Sequence, residues 1–106
     1  MPYFRKKPVV IEAVQLTGSS VSLREVYKFI KGEYPDTKSQ IADERWEDYV
    51  ALVNKEGCKI ETPEGFITAS VGDWIVKGYT ESLGFHFWPV KPDYFEQNYE
   101  AVDKPE

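Results

Sequence analysis

The chain has 106 residues, 42% of them hydrophobic and 15% aromatic, and its 18 acidic side chains outnumber 13 basic ones to leave a formal net charge of −5. That length accommodates one domain, 1–106, which buries on the order of two-thirds of the surface its unfolded chain exposes and builds a core without metal or disulfide. Cys58 is the only cysteine, which excludes an internal disulfide, and the negative average field opposes non-specific binding to nucleic acid.

The basic trio Arg5, Lys6 and Lys7 is not followed by an apolar run of signal-peptide length, and no stretch approaches a membrane span. The expectation is a soluble protein of the cytoplasm with no membrane partner.

Residues 8–16 are rich in β-branched side chains and lead into Thr17, Gly18, Ser19 and Ser20, which predicts a strand ending in a loop. Ser22 and Glu25 then have the S-x-x-E spacing of a capping box, and Val21 and Val26 are spaced as a hydrophobic staple. Leu23, Val26, Tyr27 and Ile30 recur at helical intervals, Arg24, Lys28 and Lys31 fall on the opposite side, and Gly32 supplies a stop. The segment reads as an amphipathic helix. Each large side chain of its stripe contributes roughly 1.5 to 3 kcal/mol when buried, more than the ~1 kcal/mol of the cap.

Pro35 excludes a continuing helix, and the stretch 33–48 sets Glu33, Asp36, Asp43, Glu44, Glu47 and Asp48 against Lys38 and Arg45. Trp46, Tyr49, Val50 and Val53 fit a helical stripe, whereas 49–53 taken alone resembles a short buried strand. The strand is the reading favoured here. From Cys58 onward the pattern predicts a meander, with strands over 58–62, 66–69, 74–79 and 85–90. Turns fall at Pro63-Glu64-Gly65 and Val71-Gly72-Asp73, and a polar loop at 80–84. Asp93 and Glu96 repeat the cap spacing after Pro92 and predict a short helical turn carrying Tyr94, Phe95 and Asn98. An edge strand over 99–102 is expected last, and 103–106 should fray.

Four ordered blocks carry a resemblance. They are 5–15 (RKKPVVIEAVQ), 60–65 (IETPEG), 72–78 (GDWIVKG) and 91–96 (KPDYFE). The chain resembles the small uncharacterised proteins of bacteriophages and prophages that share a P-G-D-[WY]-[IL] turn followed by a K-P-D-x-F segment. Val71 stands where that turn usually has Pro, which loosens the preset φ but leaves Gly72 able to reach positive φ, so the hairpin is expected to survive. The resemblance implies a phage or prophage accessory gene acting in the bacterial host cell. It transfers no catalytic residue.

Chemistry-bearing residues are few. One His and one Cys cannot assemble the usual zinc site, and no P-loop, dinucleotide or nucleophile-elbow motif is present, so neither metal nor cofactor is expected and enzyme is the weaker reading. Cys58 shares a strand face with Ile60 and Thr62 and reads as a buried thiol, although a Cys58/His86 dyad is the enzyme alternative. Asp73 caps its own turn, and Asp93 reads as a helix cap. The acidic run Asp43, Glu44, Glu47 and Asp48 around Trp46 suits docking on a basic host protein, with Trp46 as anchor, against a solvated loop with Trp46 folded onto the core. Trp74, Lys77, His86, Trp88 and Lys91 could instead form a ligand or nucleotide platform. Odd spacing puts Trp74 and Lys77, and likewise Trp88 and Lys91, on opposite strand faces, which argues against one mixed surface.

These readings predict an α+β fold, one N-terminal amphipathic helix on a bent antiparallel sheet or small partly open barrel. The leading functional expectation is a non-enzymatic accessory protein that binds a host protein. A small-ligand module, with His86 and nearby lysines on an anionic group, and a virion assembly component are the alternatives. Exposed strand edges and many aromatics are compatible with a homodimer.

Overall fold

The computed structural model describes residues 2–3, 11–82 and 84–102. The expected strand at 8–16 forms as β1, Glu12–Gln15, while its first residues at 8–10, most of the 5–15 block and the tail 103–106 lie outside the described residues.

Helix α1, Ser20–Lys31, begins earlier than the capping-box spacing predicts. Three serines precede the apolar stripe, and the one that caps is Ser19, whose backbone is extended and whose Oγ accepts the Ser22 N–H at 3.0 Å. Ser22 is already helical, and its hydroxyl binds the preceding chain instead, accepting from Thr17 N–H and donating to Gln15 O, each at 2.9 Å. Glu25 does not close a box; it accepts the Tyr34 hydroxyl at 2.9 Å. The stop is where the sequence puts it, with Gly32 in the left-handed region and its N–H donating to Lys28 O. Leu23 and Val26 are buried, with Tyr27 and Ile30 partly so.

The largest correction falls at 49–53, which is no strand but the middle of α2, Gln40–Glu56. Ser39 caps this helix through Ala42 N–H at 3.0 Å, and no Gly or Pro interrupts it. Trp46, Val50 and Val53, spaced i, i+4 and i+7, turn inward, while Tyr49 and Leu52 remain exposed.

Strands β2, Cys58–Thr62, and β3, Gly65–Ala69, form one antiparallel hairpin, and β4, Trp74–Thr80, pairs antiparallel with β5, Gly84–Val90. The expected meander breaks between these hairpins. β1 takes the place beside β4 that β3 would have filled, giving a three-stranded sheet in the order β1-β4-β5 and a separate two-stranded sheet, which do not close into a barrel. The break lies in the turn at 70–73, which is therefore not a hairpin turn. Gly72 N–H donates to Leu16 O and Leu16 N–H to Asp73 O, so the turn is tied to the end of β1. Gly72 sits at φ +103°, a conformation a β-carbon would strain.

Helix α3, Pro92–Asn98, has Lys91 at its N-cap with no side-chain bond, so Asp93 lies in the first turn and is not the cap. Residues 99–102 form no strand. Tyr99 N–H closes α3 on Phe95 O at 2.9 Å.

One buried cluster joins the elements: Leu16, Leu23, Val26, Trp46, Val53, Cys58, Ile60, Ala69 and Ile75. No helix among the described residues is long and apolar enough to cross a membrane.

Candidate functional site: a groove beside an edge strand

Register decides which side chains of the larger sheet can act together. Pairing of Val76 with Trp88 and of Gly78 with His86 puts Trp74, Val76, His86 and Trp88 on one face, and Ile75, Lys77, Phe85 and Phe87 on the other. Gly78 is required by this arrangement, because a β-carbon there would run into the Trp88 ring. Ile75 and Phe87 turn toward the core, so α1 and the β2–β3 hairpin gather beside the second face.

Between α1, β2 and β5 runs a groove of about 480 Å³, with aromatic walls from Tyr27, Phe66, Phe85 and Phe87 and an apolar floor from Leu23, Val26 and Ile60. A shallower depression of about 280 Å³ continues it around the edge of β5 to Trp88, and the two share Thr62, Pro63, His86 and Phe87. Lys31, Lys59, Glu61 and His86 supply polar atoms to the main groove. Lys31 and Lys59 are exposed and make no ion pair among the described residues. Against the single carboxylate of Glu61, the two lysines leave a small local excess of positive charge beside aromatic rings on a chain of net charge −5.

The ring of His86 stacks obliquely beside Trp88, centroids 5.1 Å apart, with Nδ1 at 3.1 Å from Gly84 O. A carbonyl only accepts, so this bond places a proton on Nδ1 and turns Nε2 to other partners. Cys58 lines the same groove but is buried, its sulfur 3.6 Å from the Tyr49 hydroxyl. No hydrogen bond joins Cys58 to His86 among the described residues. Burial raises the Tyr49 hydroxyl above the ordinary tyrosine range, and the Cys58 thiol beside it raises it further, so the phenol stays protonated. Among the described residues no group of three or more His, Cys, Asp and Glu side chains is placed to hold a metal ion.

No family model matches this chain, and searches of curated proteins and of solved structures return no match either.

The residues singled out by sequence separate into three places. His86 and Trp88 border the groove, and Lys77 approaches it indirectly, with Nζ 4.9 Å from the Phe85 ring centroid and 3.8 Å from Glu12 Oε2. Trp74 lies at the other end of its strand in a stack of rings, 4.2 Å from Phe95, which is 4.7 Å from Tyr99. Lys91 reaches Asp73 Oδ2 at 3.2 Å, and the buried Asp73 also accepts Ser70 N–H at 2.9 Å, the turn-capping role its sequence position suggests. Asp43, Glu44, Glu47 and Asp48 are all exposed on α2. Trp46 between them points inward, its indole N–H donating to Ser20 Oγ at 3.0 Å and its ring edge-on to Tyr27, so it offers no anchor to a partner. Sequence reasoning missed Phe66 and Phe85. The signal was present in Phe66 and Ile67, adjacent apolar residues on one strand, of which alternation can turn only one toward a core.

Proposed function

We propose that this chain is a non-enzymatic phage or prophage accessory protein that works by binding, and that the groove beside β5 takes a small ligand combining a flat ring with an anionic group. Its origin is supported by the four ordered sequence blocks. The ligand class rests on one observation: a groove of about 480 Å³, within the usual range of small-molecule sites, walled by aromatic rings and bordered by Lys31, Lys59 and His86 against the single acid Glu61. Rings favour a stacked planar ligand, the lysines a negative group, and Nε2 of His86, with the proton held on Nδ1, accepts a hydrogen bond from a donor of the ligand. The expected frame, an amphipathic helix seated on a bent sheet, enters this proposal as the groove's support, since Leu23 and Val26 share a buried cluster with Ile75.

Thermal shift against a panel of nucleoside monophosphates and aromatic carboxylates tests this reading. A true ligand at ~100 times its dissociation constant adds roughly 2.7 kcal/mol of stability. Lys59→Glu and Phe85→Ala should abolish that gain while the free proteins still unfold cooperatively. A panel that gives no shift, or a shift unaffected by both variants, refutes the groove as the site.

A second reading keeps the host-protein partner and places it on α2, where the exposed carboxylates of Asp43, Glu44, Glu47 and Asp48 face solvent. Such a surface suits encounter with a basic protein but lacks the aromatic anchor the sequence suggested, which predicts a fast, salt-sensitive and weak complex.

A further inference from the structure

We infer that two copies of the chain join through the outer edge of β3, forming an antiparallel β3–β3 ladder about a two-fold axis at Ile67. The inference starts from how the sheet edges are protected. An edge strand offers unpaired N–H and C=O groups to any passing strand, and proteins blunt such edges with charge, proline or brevity. β5 carries Pro89, and β1 is four residues long with Glu12 held by Lys77. β3 has none of these devices. It pairs with β2 on one side, has no ladder partner on the other among the described residues, and reads Gly65-Phe66-Ile67-Thr68-Ala69 without a charge. Phe66 is 72% and Ile67 41% exposed.

Self-complementarity makes a second copy the occupant. An antiparallel pairing centred on Ile67 sets Phe66 against the partner's Thr68 and Gly65 against the partner's Ala69, an aromatic on a β-branched residue and a small residue on a small one. The β2–β3 register places Lys59 beside Thr68 and Glu61 beside Phe66. Across the joined hairpins each row on that face therefore runs Lys59, Thr68, the partner's Phe66, the partner's Glu61, with opposite charges at its ends. Nothing in the row sets like charges against each other, even though each chain is acidic overall, because most of the acids of 33–56 sit on α2. A two-stranded hairpin is marginal by itself, and the ladder would convert two of them into one four-stranded sheet. The two-fold operator closes the assembly at a dimer.

Sedimentation equilibrium of the intact chain up to about 1 mM should show a monomer–dimer equilibrium. Ile67→Lys, at an exposed position, should weaken the dimer about tenfold or more, because the two-fold axis sets each introduced charge directly opposite its own copy. Circular dichroism and the melting temperature of that variant show that the monomer is intact. Ile67→Cys should cross-link to itself on oxidation, whereas Thr68→Cys, displaced from the axis, should do so far more slowly. A chain that stays monomeric throughout, a dimer indifferent to Ile67→Lys, or equal cross-linking at both positions overturns the inference.

Discussion

Replacing Asp73 by alanine tests the idea that the turn at 70–73 is a structural joint. The carboxylate is 3% exposed, and its Oδ2 accepts both Ser70 N–H at 2.9 Å and Lys91 Nζ at 3.2 Å. Alanine leaves a part-buried backbone N–H without its ionised acceptor, a loss of roughly 1.5 to 3 kcal/mol. Lys91 is 69% exposed, so its half of the arrangement contributes only about 0 to 1 kcal/mol after solvent screening. Asp73→Ala should therefore cost about 2 to 3 kcal/mol and Lys91→Met no more than about 1 kcal/mol. For a domain of this size the first corresponds to a fall in melting temperature of roughly 10 to 20 °C. Urea unfolding of both single variants and the double variant gives the coupling energy directly. If Asp73→Ala cost less than about 0.5 kcal/mol, or if Lys91→Met cost as much as Asp73→Ala, the argument from the Ser70 bond would be refuted.

Two further outcomes follow from local geometry. Ser19→Ala should destabilise the chain by about 1 kcal/mol through loss of the α1 cap, while Glu25→Ala should change stability by less than about 0.5 kcal/mol, since its contact is an exposed bond to Tyr34; equal effects in chemical denaturation would restore the capping-box assignment. Tyr49 holds its proton more tightly in the folded chain than at the unfolded value of 10.0, so the associated stability is complete below pH 10 and is lost as pH rises beyond it. Denaturation curves at successive alkaline pH values should fall less steeply for Tyr49→Phe than for the parent, and parallel curves would contradict the assignment.

Local signals predicted those parts of the fold that local chemistry decides. The stripe of α1, its Gly32 stop, the strand segments after Cys58 and the capping role of Asp73 are all settled within a few residues of sequence. The segment 49–53 misled because a five-residue apolar run has no period of its own; only the distance from Trp46 to Val53, together with the Ser39 cap, reveals the helix. Strand pairing was less legible. Nothing near Gly72 announces that β4 will pair with β1 instead of β3, because that choice depends on Leu16, far away in the chain. The groove was legible only in fragments for the same reason: His86 and Trp88 stood out by type, whereas Tyr27, Phe66 and Lys59 gain meaning from elements brought together in space.

The pairing of β1 with β4 sets the order in which the chain can mature. Gln15 meets Trp74 and Glu12 meets Lys77, partners separated by about sixty residues, so the first strand emerges from the ribosome long before the surface it needs exists. At about 5 to 20 residues per second the wait lasts roughly 3 to 12 s. Meanwhile α1, α2 and the β2–β3 hairpin, whose backbone ladders are local, can form. Closure of the central sheet therefore waits for synthesis of β4, and a nascent chain stalled before Gly72 would hold both helices but leave Leu16 and the end of β1 without their partners.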